Sequence, residues 1–185
     1  MKKMKFRTHL GLLLLIVMVL VAVTTFVAGK YATTISMPNT ATFTAKLAES
    51  IVVQESLAVR QSDGTYVLDQ TNIVPSNRYA LIPGLDIPKD THIAISGKTD
   101  VPAYLYLTVA DNTNETLSFE LCDHWVLVEG NTYVYSDANQ QRILITEDID
   151  KVYILKDNTI YVSQDILSMA TNYIRFSAKL EEPTN

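Results

Sequence analysis

The stretch from Tyr79 to Val109, YALIPGLDIPKDTHIAISGKTDVPAYLYLTV, restricts the fold more than any other part of the chain. Pro83-Gly84 marks a corner, because proline presets φ and glycine accepts positive φ. Pro88 removes a backbone donor and drives Ile87 towards extended geometry, so the chain turns without entering a helix. Beyond the corner, Ile93 and Ile95 alternate with His92, Ala94 and Ser96. Gly97-Lys98-Thr99-Asp100 closes that strand, and Ala103, Leu105, Leu107 and Val109 then alternate with Tyr104, Tyr106 and Thr108. Strict alternation predicts strands with one face in a core. The stretch therefore reads as strand, corner, strand, turn, strand. It carries no nucleophile, phosphate loop or metal cluster.

The N-terminus is set apart from this domain. Lys2, Lys3, Lys5 and Arg7 precede an uncharged run from Leu10 to Ala28. A basic segment before about 7–15 apolar residues predicts a secretory signal peptide. The run also reaches the length of about 18 residues needed for a transmembrane helix, so a retained anchor is the alternative. Cleavage between Gly29 and Lys30 would place Val27 and Gly29 in the small-residue positions before the cut. Either way the basic flank keeps the N-terminus inside and sends the remainder outward. The expected division is residues 1–29 as signal peptide or anchor, 30–47 as an N-terminal segment, and 48–185 as the folded domain.

Four of the 15 basic residues lie in the leader, so the remainder sets 11 basic residues against all 20 acidic ones. That balance argues against nucleic acid and anionic lipid as partners, leaving membrane contact to the N-terminal segment. A single cysteine, Cys122, makes no internal disulfide, and an exported domain of this kind must rely on its core or on partners.

Along the chain, Lys30 to Thr40 is small, threonine-rich and without pattern, and reads as a lead-in. Ala41, Phe43, Ala45 and Leu47 then alternate with Thr42, Thr44 and Lys46 as a strand. Ser50 to Gln70 reads as a hairpin turning at Ser62-Asp63-Gly64, followed by a polar link over Thr71 to Asn77. Asp111 to Glu115 reads as a loop. Trp125 to Val128 and Thr132 to Tyr135 form a hairpin, Arg142 to Ile145 a short strand, and Lys151 to Leu155 with Thr159 to Val162 a further hairpin about Lys156-Asp157-Asn158. Asn172 to Leu180 closes the series, with Ile174, Phe176, Ala178 and Leu180 on one face. Eight or more short strands with turns between them predict an all-β, antiparallel β-sandwich or barrel.

Several of these pieces, in this order, resemble the TasA/camelysin-type (CalY-like) secreted proteins of Firmicutes, which carry a SipW-type signal peptide. The leader's end, FVAGKYATTIS, is similar to their processing region, and ATFTAKL to their first strand. Pro83, Gly84, Lys89 and Asp90 match their L-x-P-G-x-x-x-x-K-D corner. HWVLVEGNTYVY is similar to a hairpin of clostridial relatives, and NYIRFSAKLEE to the final strand. The resemblance implies a jelly-roll β-sandwich, export by a signal peptidase, and a structural role at a Gram-positive cell surface or in a biofilm matrix. It also implies self-assembly, or assembly with related matrix subunits, by an N-terminal segment that adds a strand to the next subunit. The donor would lie in Lys30 to Leu47, with Ile35, Met37, Ala41, Phe43, Ala45 and Leu47 as its apolar positions.

Camelysin-like relatives have been classed as metallopeptidases, but no H-E-x-x-H is present. Cys122, Asp123 and His124 are candidate zinc ligands by type, yet neighbours on a strand point to opposite faces. Glu147-Asp148-Ile149-Asp150 is acidic but lacks the spacing of a calcium loop. The expectation is a non-enzymatic structural protein without cofactor or metal. A monomeric adhesin or binding module of the same fold is the alternative, and a metallopeptidase the remote one.

Overall fold

The structure, a computed structural model, describes residues 33–36, 39–41, 50–96, 101–113, 116–165 and 173–183. The fold is all-β: antiparallel sheets close into a half-barrel around one core. Its centre is β8 (Ala103–Asn112), which pairs along its length with β15 (Tyr173–Glu181), from Asn112 opposite Tyr173 to Tyr104 opposite Glu181. The alternation read from the sequence is realised in both strands. Ala103, Leu105, Leu107 and Val109 are buried, as are Ile174, Phe176, Ala178 and Leu180. Side chains with period two share a face, so each strand gives the core four residues in register. β8 runs on to Asn112, two residues into the expected loop.

The outer neighbours of β8 are β11 (Thr132–Tyr135), followed by β10 (Trp125–Glu129), and the short β12 (Leu144–Ile145). β10 and β11 form the expected hairpin, turning at Gly130, and Trp125 lies opposite Tyr135. On the exposed side of β8, Arg142 stands over the Tyr104 ring and Lys179 over Tyr106, at 5.7 and 5.6 Å. These tyrosines therefore carry cations on a half-buried sheet face.

A second sheet has the order β13 (Ile149–Tyr153), β7 (His92–Ser96), β3 (Ser50–Arg60) and β4 (Tyr66–Val74). Ile51 and Val53 of β3 and Ile93 and Ile95 of β7 join the core begun by β8 and β15. The β3–β4 hairpin turns where Asp63-Gly64 predicts. Gly64 has φ +90°, and a Cβ there would lie 2.6 Å from Ile82 Cδ1. β4 extends through Thr71 and Asn72 to Val74, where a polar link was expected. Asp69 Oδ1 accepts from Thr71 N–H at 3.0 Å and from its hydroxyl at 2.6 Å, a local turn where Gln70 to Asn72 bulge out of the β3 ladder.

The hairpin expected about Lys156-Asp157-Asn158 is instead a crossover. The turn is present, with left-handed φ at Asp157 and Asn158. Yet β13 pairs with β7, whereas β14 (Thr159–Val162) pairs with β6 (Ile87–Pro88) and β9 (Leu117–Ser118). Turn residues dictate a local reversal; burial decides which edges the emerging strands reach.

Phe176 is fully buried and meets Phe119 edge to face at 6.1 Å. Phe176→Ala is expected to cost about 3–5 kcal/mol through lost burial and the cavity left behind, read by urea unfolding. A cost no larger than that of an exposed substitution would remove Phe176 from the shared core.

Candidate functional site

Residues 33–36 and 39–41 pair in two places within their own chain. β1 (Thr33–Ser36) lies antiparallel on β5 (Arg78–Leu81), with Ile35 opposite Tyr79. β2 (Asn39–Ala41) lies parallel to β15, with Thr40 opposite Ser177. The lead-in expected over Lys30 to Thr40 is thus corrected: part of it is strand. Its sequence, charged only at Lys30, shows no alternation, because the pairing of β1 and β2 runs through backbone groups along two edges. Of the expected donor positions, Ile35 falls in β1 and Ala41 in β2. Met37, Phe43, Ala45 and Leu47 lie outside the described residues, as do Val27, Gly29 and Lys30 of the expected cleavage region.

These two pairings cover edges of different kinds. β15 has β8 on its other side, so it stays in a sheet without β2. β5 has β1 as its paired strand among the described residues, and without it would present bare N–H and C=O groups. What fixes β5 is therefore decisive, and the answer is the corner that follows it.

The Pro83-Gly84 corner is a turn, as expected: Leu85 N–H donates to Ile82 O at 3.0 Å. Gly84 has φ +71°, and its N–H donates to Ser163 O at 3.2 Å. From there β6 carries the chain inward to Lys89 and Asp90. Both are buried, Lys89 completely. Lys89 Nζ donates to Glu55 Oε2, and Glu55 is likewise fully buried. Glu55 Oε1 accepts the Asn77 N–H at 2.7 Å, and Thr91 Oγ1 lies 3.4 Å from Oε2. Asp90 takes the N–H and hydroxyl of Ser56 at 2.8 and 2.6 Å. Asn77 Oδ1 accepts the Ala58 N–H at 2.9 Å, and its Nδ2 donates to Ser56 O at 2.8 Å.

This cluster lies beside an irregularity in the β3–β4 ladder. The β3–β4 register shifts between Ser56 and Leu57. The extra residues, Gln70 to Asn72, lie on β4; on β3 the amides of Ser56 and Ala58 donate to the Asp90 and Asn77 side chains. The cluster also reaches β5 directly. Asn77 precedes β5, and the Tyr79 ring within it stands 5.8 Å from Lys89 Nζ. Tyr79 is packed at 5.0 Å against Tyr66, whose hydroxyl accepts the Ala80 N–H at 2.7 Å. Burial, reinforced by the Glu55 charge, pushes the Tyr79 phenol far above its ordinary range. Burial lowers the Lys89 ammonium pKa despite its carboxylate partner.

The remaining candidates do not converge. His124 Nε2–H donates to Tyr153 O at 2.8 Å, beside Trp125 Nε1–H on the same oxygen at 3.0 Å. Partial burial raises the Cys122 thiol, disfavouring a thiolate. Among the described residues no three His, Cys, Asp or Glu side chains gather to hold a metal, and no helix is long and apolar enough to cross a membrane. His92 is buried, with Nδ1 on Asp90 O at 3.0 Å and Nε2 facing Gln54 at 3.3 Å.

The sequence pointed to the corner but not to its chemistry. A signal existed: Ile51, Val53 and Glu55 share one face by period two, and a glutamate on a core face demands a cation. Comparison with family models, curated proteins and solved structures found no match.

Two outcomes are expected. Glu55→Ala leaves the Lys89 charge buried without its partner and should cost about 3–5 kcal/mol, measured by urea unfolding; wild-type stability would mean that the cluster is not structural. Thr40→Pro removes an N–H from β2. It should speed hydrogen exchange at β15 amides facing β2 and spare those facing β8, whereas unchanged exchange would place β2 off that edge in solution.

Proposed function

We propose that this chain is a secreted, non-enzymatic structural protein of the TasA/camelysin type, with a jelly-roll β-sandwich that assembles into a surface fibre or matrix. One observation carries the reading: residues 33–36 and 39–41 lie as two short strands on the edges of two different sheets. Their pairing is backbone pairing, and a second copy offers the same backbone groups. A segment that leaves β5 and β15 of its own chain exposes acceptor edges, and its own unpaired groups then seek the same edges on a neighbour. The exchange replaces one set of pairs by an identical set and repeats head to tail, which extends a fibre rather than closing a dimer. The acidic balance of the exported part keeps the free subunit soluble.

The test uses the chain beginning at Lys30, incubated over a concentration series and followed by light scattering and negative-stain microscopy. Filaments, or a growing species, are expected. They should vanish when Lys30 to Leu47 is deleted and the remaining domain is shown to be folded. Assembly that persists without the segment would reject strand exchange. A monomer at every concentration would favour a binding module of the same fold.

A further inference from the structure

We propose that Lys89 and Glu55 condense in the folded chain into an intramolecular amide, joining Lys89 Nζ to Glu55 Cδ and locking the corner to β3. The two side chains are fully buried and already in contact. An ammonium group has three N–H donors to satisfy. Among the described residues Glu55 is the hydrogen-bond acceptor of Nζ, and the Tyr79 ring face stands 5.8 Å away. Two buried N–H groups are thus left without an oxygen, at the high cost of a desolvated charge. An amide nitrogen carries one N–H and no charge, and removes that cost.

The surroundings favour the reaction as well as its product. Burial lowers the lysine's pKa, towards the neutral amine that is the nucleophile. Attack on Glu55 Cδ drives negative charge onto Oε1. There the Asn77 N–H already sits at 2.7 Å, as a fixed donor for the developing oxyanion. The Lys89 Nζ···Oε2 hydrogen bond is the proton path. The ammonium gives up two protons to Oε2 in all, the Cδ–Oε2 bond breaks, and one water leaves. No oxidant or further reactant is required. The fold holds the partners in hydrogen-bond contact, which replaces a bimolecular encounter by an intramolecular one. The ring of Tyr79 and the Thr91 hydroxyl, 3.4 Å from Oε2, bound the pair.

The bond would tie residue 55 to residue 89 across the element that positions β5. Such a bond forms within a single chain, whether or not copies assemble. The purified full-length chain is denatured after folding, and its intact mass is measured alongside a digest analysed by fragmentation. The expected result is a mass one water below that of the sequence, with a branched peptide joining Glu55 to Lys89. Glu55→Ala should restore the full mass. A wild-type chain of full mass that releases its Glu55 and Lys89 peptides unlinked would overturn the proposal. So would a loss of water that persists in Glu55→Ala. The wild-type spectrum decides the matter even where the variant fails to fold.

Discussion

A charge pair without solvent sets the terms for the half of the molecule that receives the N-terminal segment. Lys89 and Glu55 are fully buried, and neither is tolerable there without the other. Their meeting requires β3 and the corner after β5 to adopt one relative position, because one side chain comes from each. A hydrophobic contact would tolerate sliding by a few ångströms; a buried ammonium on a carboxylate does not. Asp90 and Asn77 extend the same demand along β3, supplying acceptors to the amides of Ser56 and Ala58.

The frame around this cluster obeys simpler rules. β8 and β15 are long, alternate strictly and run antiparallel over nine residue pairs. Their inner faces are aliphatic and aromatic, and their outer faces carry tyrosines with a guanidinium and an ammonium laid over them. Packing of this kind is non-directional and tolerant of detail. The division of labour follows: the aliphatic core supplies most of the stabilisation, and the polar cluster supplies position.

This division also accounts for what could be read from the sequence. The β8 and β15 faces, the Asp63-Gly64 turn and the β10–β11 hairpin were legible because period-two burial and turn chemistry are local. The β13–β14 hairpin was misread for the same reason. Asp157 and Asn158 do turn the chain, but Val152 and Ile160 are buried in strands paired to different partners. β1 and β2 left no trace, because an edge pairing through main-chain atoms imposes no pattern on side chains. The Pro83, Gly84, Lys89, Asp90 corner was visible as a turn with a charged end. Its inward course was not, since the cation's partner lies 34 residues away. Glu55 sits on the core face with Ile51 and Val53, and was the one residue whose pattern contradicted its chemistry.

The placement of the cluster relative to β5 bears on how an edge can wait for a partner. A strand with unpaired edges normally frays or aggregates, and chains blunt such edges by shortness, charge or cover. β5 has only four residues, and β1 covers it. It is also tethered from within: Tyr79 lies against Lys89, the Ala80 amide rests on Tyr66, and Asn77 is fixed at its start by Glu55 and Ala58. None of these tethers uses β1. An edge anchored by its own side chains keeps its shape when the covering strand departs, so little ordering entropy remains for an incoming strand to offset. In the proposed exchange the buried lysine then acts at a distance from any interface. It holds the acceptor in the bound geometry before the donor arrives.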